Sequence, residues 1–112
     1  MNALRDALRQ FAAERDWDQF HSPKNLAMAL SVEAAELLEH FQWLTEAESH
    51  RLAPEKLGQV RDEMADVLVY LVRLADKLEV DLLEAAARKI EKNALKYPAA
   101  RVRGSMKKYT EY

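Results

Sequence analysis

Two pairs of carboxylates recur at the same spacing near the middle of the chain. Glu33 and Glu36 form one pair, and Glu63 and Asp66 form the other. Because residues three apart lie on one face of a helix, each pair can present two carboxylates to the same ligand. Beside a core, desolvation and mutual repulsion make four such groups costly unless a cation is present. Mg²⁺ suits an all-oxygen site of this kind, and it also recruits substrate phosphates.

Each pair lies beside an apolar stripe that has the period of a helix. In the helix predicted at about residues 24–44, the stripe consists of Leu26, Leu30, Ala34, Leu37, Leu38, Phe41 and Leu44. In the helix predicted at about residues 54–78, it consists of Val60, Met64, Val67, Leu71, Leu74 and Leu78. The four carboxylates are therefore predicted to lie at the edge of a core and to face one another across two antiparallel helices.

Ordinary ion pairs are the alternative interpretation of these carboxylates. Glu-x-x-Glu is abundant in helices, and Arg61, Arg73 or Lys77 could neutralise the four groups. A di-iron carboxylate site is excluded because it requires Glu-x-x-His pairs. The residue three before His40 is Leu37. The spacing by itself leaves a Mg²⁺ site and a set of ion pairs as open alternatives.

The rest of the chain is also predicted to be helical. Two Gly and three Pro in 112 residues are too few for a small protein of strands and turns. Ser22-Pro23 resembles a helix cap followed by a first-turn proline, and Asp81 resembles a second cap. We predict an all-α four-helix bundle with helices at about residues 2–16, 24–44, 54–78 and 82–96. Residues 97–112 are predicted to form an irregular basic tail.

Composition limits the classes of protein that this chain can be. Its length fits one domain over residues 1–112. With 49% hydrophobic and 32% charged residues, it is predicted to be neither disordered nor membrane-spanning. The N-terminal MNALRDALRQ is charged where a signal peptide is apolar, which predicts a cytoplasmic protein. The absence of cysteine excludes disulfides, thiolate metal sites and cysteine nucleophiles.

Charge is distributed unevenly along the chain. Residues 1–87 contain 9 basic and 17 acidic side chains, whereas residues 88–112 contain 8 basic and 2 acidic ones. The acidic part would repel phosphate, so binding of a nucleic-acid polymer is disfavoured. The basic end could hold an anion next to a metal ion, or it could be a solvated tail.

Several segments resemble the all-α nucleoside triphosphate pyrophosphohydrolases of the MazG type. The main ones are SVEAAELLEHFQW at 31–43, DEMADVLVYLVRLAD at 62–76 and KIEKNALKYP at 89–98. The single-domain branch that acts on dCTP is the most similar, because FAAERDWDQFHSPKNL at 11–26 and the final KKYTEY also match it. The resemblance implies Mg²⁺-dependent hydrolysis of dCTP or a related dNTP to the monophosphate and pyrophosphate, a reaction that cleanses the nucleotide pool.

The resemblance also implies roles for individual residues. The Mg²⁺ ligands would be Glu33, Glu36, Glu63 and Asp66, one of which takes the proton of the attacking water. Lys89 would complete the catalytic set by neutralising phosphate charge. Sugar and phosphate would be bound by Tyr70, Asn93 and Tyr97. The base pocket would be formed by Trp17, Phe20, His21, Asn25 and Trp43, with core packing as the alternative for Phe20.

Two further features of this resemblance concern the tail and the base. Arg101, Arg103, Lys107 and Lys108 could close over the triphosphate, or they could belong to a solvated tail. Leu8 stands where eukaryotic members usually carry a histidine. This difference leaves the base preference open among dCTP, its modified forms, dATP and dUTP.

Apolar residues outside the main stripes predict self-association. They are Met28 and Ala35 in the helix at 24–44, and Ala65, Val69 and Val72 in the helix at 54–78. A monomeric bundle would leave them in water. We therefore predict a homo-oligomer, either a dimer or a tetramer. The alternative to an enzyme is a non-catalytic helical interaction module, antitoxin-like or an assembly subunit, whose carboxylates form only ion pairs.

Overall fold

The computed structural model describes residues 1–104, and within this range every regular element is helical. The helices are α1 (Asn2–Glu14), α2 (Pro23–Glu39), α3 (Glu46–Ser49), α4 (Pro54–Lys77), α5 (Leu82–Lys96) and α6 (Ala99–Val102). A 3-10 turn at Asp18–Phe20 connects α1 to α2. The prediction of an all-α protein is confirmed. Among the helices of residues 1–104, none is both long and apolar enough to cross a membrane.

The chain divides into two compact units, the first of which extends from Met1 to Val80. In this unit α4 packs along α2 and also contacts α1. Arg73, near the end of α4, contacts His21 just before α2, with 3.1 Å between Nη2 and Nδ1. The two helices are therefore antiparallel, as predicted from the carboxylate pairs.

The second unit begins at Asp81 and contains α5 and α6. Along α5, Arg88 Nη2 forms an ion pair with Glu84 Oε1 one turn earlier, at 2.7 Å. The arrangement of four helices in one bundle, a single domain over residues 1–112 and a cytoplasmic location stay predictions.

Ser22 and Asp81 cap α2 and α5, as the sequence predicts. Ser22 Oγ accepts a hydrogen bond from the backbone N–H of Asn25 at 3.1 Å. Asp81 Oδ1 accepts one from the backbone N–H of Glu84 at 3.0 Å. These bonds satisfy N–H groups that have no partner within the first helical turn. Local capping chemistry therefore determines where both helices begin.

The predicted end of α2 near Leu44 is wrong. This helix ends at Glu39, and turns occupy residues 40–43. Thr45 then begins α3 with a capping box, in which Thr45 Oγ1 accepts from the backbone N–H of Glu48 and Glu48 Oε1 accepts from that of Thr45. These two bonds favour a new helix start over continuation of α2. The apolar pattern continued beyond the true helix end, and this misplaced the boundary.

The prediction of an irregular tail from residue 97 onward is partly wrong. Ala99–Val102 forms the short helix α6 directly after Pro98. Proline is compatible with the start of a helix because its φ angle is already near the helical value. Lys107 and Lys108 lie outside the described residues.

Apolar burial in the first unit is limited. The buried apolar residues of the described chain are Ala12, Leu26, Val60, Val72 and Ala75. The prediction that Val72 lies off the core is wrong, since Val72 is only 4% exposed. Because α4 contacts both α1 and α2, its buried surface is wider than one stripe. Leu38, Met64 and Leu78 were predicted in the core, but each is more than half exposed.

Candidate functional site

Three carboxylates meet where α2 packs on α4. Glu33, Glu36 and Glu63 each place one oxygen within 4.8 Å of the other two. All three side chains are half-buried. The cluster forms because Glu33 and Glu36 lie one turn apart beside the surface that α2 packs on α4. Two helices thus bring together three of the four carboxylates that the sequence singled out.

Asp66, the fourth of these carboxylates, does not belong to the group of three. Its side chain is exposed. It lies one turn after Glu63 on α4, near enough for its charge to contribute to the raised pKa of Glu33. Asp66 therefore adds negative charge to the cluster from its exposed side.

The cluster is electrostatically unfavourable by itself. The pKa of Glu33 is raised to about 7, mainly because burial favours the neutral carboxyl group. The closeness of the Glu36 and Glu63 carboxyl groups and the charges of Glu36 and Asp66 raise it further. Oε2 of Glu33 and Oε2 of Glu63 are buried and lack a hydrogen-bond partner. Buried acceptors without partners are costly, so the donor set fits a hard cation that binds oxygen.

The ion-pair alternative does not fit the described residues. Within residues 1–104, none of the four carboxylates forms a salt bridge, and two of the cations proposed as their partners are engaged elsewhere. Arg73 Nη2 lies 2.8 Å from Asp18 Oδ1, and Lys77 Nζ lies 2.6 Å from the same oxygen. The third cation, Arg61, is exposed. Arg73 and Lys77 therefore do not neutralise the cluster.

The raised pKa of Glu33 predicts how the stability of the metal-free protein depends on pH. Between pH 4.5 and 7, folded Glu33 keeps a proton that the unfolded chain releases, so the free energy of unfolding falls as pH rises. Glu33→Gln removes this effect. In EDTA it should stabilise the protein at pH 8 by at most about 3 kcal/mol, and by much less at pH 5.

Urea denaturation of both proteins at the two pH values measures this difference. Exposed Glu39 lies on the same helix outside the cluster, so Glu39→Gln is the matched control. If Glu33→Gln raised the free energy of unfolding equally at pH 5 and pH 8, the prediction would be contradicted.

The two tryptophans lie at opposite ends of α2. Trp17 precedes this helix and Trp43 follows it, and its 17 residues span about 25 Å at 1.5 Å per residue. Trp17 is 46% exposed, with its ring edge-on to Phe11 at a centroid distance of 5.7 Å. Trp43 is 87% exposed. A single chain therefore does not bring the two indole rings into one pocket.

The other residues of the predicted base pocket lie in or beside the turn between α1 and α2. Phe20 is 61% exposed, so the alternative of core packing does not apply to it. Asn25 Nδ2 donates to the carbonyl oxygen of Phe20 at 3.1 Å. His21 is half-buried, and its Nδ1 accepts from Arg73 Nε at 3.3 Å. Burial, followed by the charge of Arg73, lowers the pKa of His21 and so favours the neutral imidazole.

Tyr70 and the predicted residues of α5 belong to different units. Tyr70 is half-buried on α4, two turns after Glu63 and on the same face. In the second unit, Lys89 and Asn93 are exposed and share a face of α5, and half-buried Tyr97 follows its end. Arg101 and Arg103 are also exposed in the second unit.

Sequence reasoning missed the position of Arg73. It was considered only as a partner for the acidic pairs, whereas the structure buries it to 3% exposure against Asp18 and His21. The available signal was its place as the one cation in the apolar run LVYLVRLA at 68–75. Such a run predicts burial of most of its members, and a buried cation requires nearby acceptors.

Comparisons with known proteins agree with one another. The model of the MazG-like family matches residues 28–112. dCTP pyrophosphatase 1 of Homo sapiens is 47% identical over 104 residues, which cover 91% of this chain and 61% of that protein. The Bos taurus protein of the same name is 45% identical, and the match covers 91% of this chain and 62% of that protein. The chain thus spans about three fifths of the length of these relatives.

A solved structure is similar to this chain over most of the solved protein's own length. It is a pyrophosphatase from Archaeoglobus fulgidus, with a TM-score of 0.83 and 47% sequence identity. The match covers 88% of this chain and 92% of that one. The likeness therefore extends to sequence and fold together.

Proposed function

The chain belongs to the MazG-like family, and we propose that it is a nucleoside triphosphate pyrophosphohydrolase acting on dCTP or a related dNTP. The cluster of Glu33, Glu36 and Glu63 carries this proposal, because its buried oxygens without partners fit a divalent cation. The names of the similar proteins, dCTP pyrophosphatase 1 and a pyrophosphatase, support the same reaction. Such an enzyme would cleanse the nucleotide pool.

The acidic cluster would hold Mg²⁺. Glu33, Glu36 and Glu63 would be its ligands, with Asp66 as the fourth. When bound, Mg²⁺ would supply charge neutralisation for the phosphates and activation of the attacking water. One of the four carboxylates would take the proton of the attacking water as the water oxygen bonds to the α-phosphorus, and the bond from the α-phosphorus to the pyrophosphate oxygen would break.

The remaining residues would bind the substrate. Lys89 would neutralise phosphate charge, and sugar or phosphate would be bound by Tyr70, Asn93 and Tyr97. The base would contact Trp17, His21, Asn25 and Trp43. This division places the phosphates at the acidic cluster and the base at aromatic groups, where flat rings can stack.

We also propose that the protein is a homo-oligomer, either a dimer or a tetramer. Large apolar side chains of α2 and α4 are more than two fifths exposed in the single chain; they are Met28, Val32, Leu38, Met64 and Leu68. Burial against a second copy would remove them from water. It would also let Trp43 of one copy approach Trp17 of another, which the length of α2 prevents within one chain.

A nucleotide panel tests the proposed function. The protein is incubated with each dNTP and Mg²⁺, and the monophosphate and pyrophosphate are measured. We expect both products from dCTP, and no reaction in EDTA. A folded protein that is inactive on the whole panel would instead favour the non-catalytic interaction module.

Replacement of the tryptophans should weaken substrate binding more than stability. Stacking on an aromatic ring stabilises a base by about 1–3 kcal/mol, so Trp17→Ala and Trp43→Ala should each raise KM for dCTP about tenfold. Trp43 is 87% exposed and Trp17 is 46% exposed, and neither belongs to the buried core, so Tm should change little. Steady-state kinetics and thermal denaturation measure the two effects.

Trp17→Phe and Trp43→Phe are the matched controls, because they keep an aromatic ring. Each should retain most of the affinity for dCTP. A large fall in Tm with an unchanged KM in the alanine variants would assign the tryptophans to packing.

A further inference from the structure

Arg73 is almost completely buried although its guanidinium is permanently charged. The residue is only 3% exposed, in the C-terminal half of α4. Burial of a charge is strongly unfavourable unless hydrogen-bonding partners compensate for the lost water. The partners that Arg73 contacts therefore indicate what the buried charge does.

The guanidinium contacts both ends of the turn between α1 and α2. Its Nη2 donates to Asp18 Oδ1 at 2.8 Å, and its Nε donates to His21 Nδ1 at 3.3 Å. Asp18 begins the 3-10 turn and His21 follows its last residue. On its other side, Arg73 Nη1 lies 3.6 Å from Asp76 Oδ2. Arginine can serve several acceptors at once because its donors form a rigid planar fork.

The segment formed by residues 17–21 has little apolar anchorage of its own. None of its residues is buried, and Trp17 and Phe20 are 46% and 61% exposed. Among the described aromatic rings, Trp17 contacts only Phe11, in a T-shaped arrangement. Since this segment adds no buried side chain to the core, polar contacts position it. Those from α4 are made by Arg73 and Lys77, which both reach Asp18 Oδ1, at 2.8 and 2.6 Å. The backbone N–H of Trp17 also donates to the carbonyl oxygen of Ala12 at 2.9 Å.

The two antiparallel helices place the contact of Arg73 with Asp18 and His21 about 15 Å from the acidic cluster. Ten residues separate Pro23 from Glu33 along α2, and ten separate Glu63 from Arg73 along α4. At 1.5 Å per residue, both intervals correspond to about 15 Å. An extended nucleoside triphosphate has a comparable length. Phosphates at the cluster would therefore bring the base to residues 17–21.

We propose that Arg73 is a positioning residue for base recognition, holding Asp18 and His21 so that residues 17–21 present Trp17 to the base. The inference rests on the proposed function. Arg73 acts through the segment that it holds, so its loss should weaken binding of the substrate and leave the chemical step nearly unchanged.

Two variants test this role. Arg73→Lys keeps the charge but loses the fork, and Asp18→Asn removes the carboxylate from the exposed end of the contact, where the side chain is 59% exposed. In both, KM for dCTP should rise about tenfold and kcat should stay within about twofold, as expected for lost binding alone. The control is Arg88→Gln, because exposed Arg88 forms its ion pair with Glu84 within α5, with 2.7 Å between Nη2 and Oε1. It should change neither constant.

Hydrogen exchange gives a readout that does not depend on activity. The backbone N–H of Phe20 donates to the carbonyl oxygen of Trp17 at 2.9 Å, and that of His21 donates to the carbonyl oxygen of Asp18 at 3.0 Å. Both amides should exchange about tenfold faster in Arg73→Lys and Asp18→Asn, while amides in the middle of α2 and α4 keep their wild-type rates.

The outcomes separate this inference from the proposed function. Wild-type KM and wild-type exchange of residues 17–21 in Arg73→Lys would overturn the role of Arg73. If that variant does not fold, Asp18→Asn is compared with Lys77→Met, because Lys77 Nζ lies 2.6 Å from the same Asp18 oxygen. Faster exchange in Asp18→Asn alone supports the role of Arg73, and equal exchange in the two variants overturns it. Wild-type protein that hydrolyses no dNTP would instead contradict the proposed function, and exchange would still report whether Arg73 holds the segment.

Discussion

Glu33→Gln is expected to reduce nucleotide hydrolysis by about 100-fold or more while the protein remains folded. Glutamine has nearly the same shape but no charge, so the cluster loses a ligand for a divalent cation, and such a cation contributes several kcal/mol to the reaction. The fold should persist, because the change removes repulsion among half-buried carboxylates. Steady-state kinetics at saturating Mg²⁺ and thermal denaturation measure the two effects.

The same loss is expected for the other members of the predicted metal site. Glu36→Gln, Glu63→Gln and Asp66→Asn should each abolish turnover, whereas Glu39→Gln, on the same helix but outside the cluster, should keep it. Activity near that of the wild type in two of the four site variants would contradict the assignment of the metal site.

Met28→Glu is expected to dissociate the proposed oligomer and to lower activity about tenfold or more. Met28 is 52% exposed on α2, so the single chain can accept a glutamate there without disturbing its core. Burial of that charge against a second copy would be strongly unfavourable. Activity should fall as well, because one chain holds Trp17 and Trp43 at opposite ends of α2.

Light scattering coupled to size-exclusion chromatography measures the mass of the particle. The variant should elute near the chain mass of 12.9 kDa, and the wild type at a multiple of it. Gln59→Glu adds the same charge at an exposed polar position and should leave the oligomer intact. A fully active wild-type monomer at micromolar concentration would contradict the prediction.

Local sequence signals predicted most helix starts because their causes are local. Ser22 and Asp81 cap the helices that follow them, through bonds that span three residues. The end of α2 was predicted incorrectly for a related reason. Apolar spacing continued to Leu44, but the capping box of Thr45 and Glu48 favours a new helix. Where two local signals conflict, periodicity does not decide the boundary.

Burial could be predicted only where one helix meets one neighbour. The apolar stripes predicted for α2 and α4 correctly included Leu26 and Val60, which are 1% and 4% exposed. They excluded Val72, which is buried because α4 contacts both α1 and α2. They included Met64, which is 58% exposed in the single chain. The width of a buried face depends on the number of neighbours, and a sequence pattern does not contain that number.

The sequence by itself determined the helical class and the spacing of Glu33 from Glu36 and of Glu63 from Asp66, because the period of a helix relates residues three apart. Only the tertiary structure decided that three of these carboxylates meet and that Arg73 is buried against Asp18. Distances within a helix follow from backbone hydrogen bonding. Distances between helices depend on how their apolar surfaces pack, and that is a property of the folded chain.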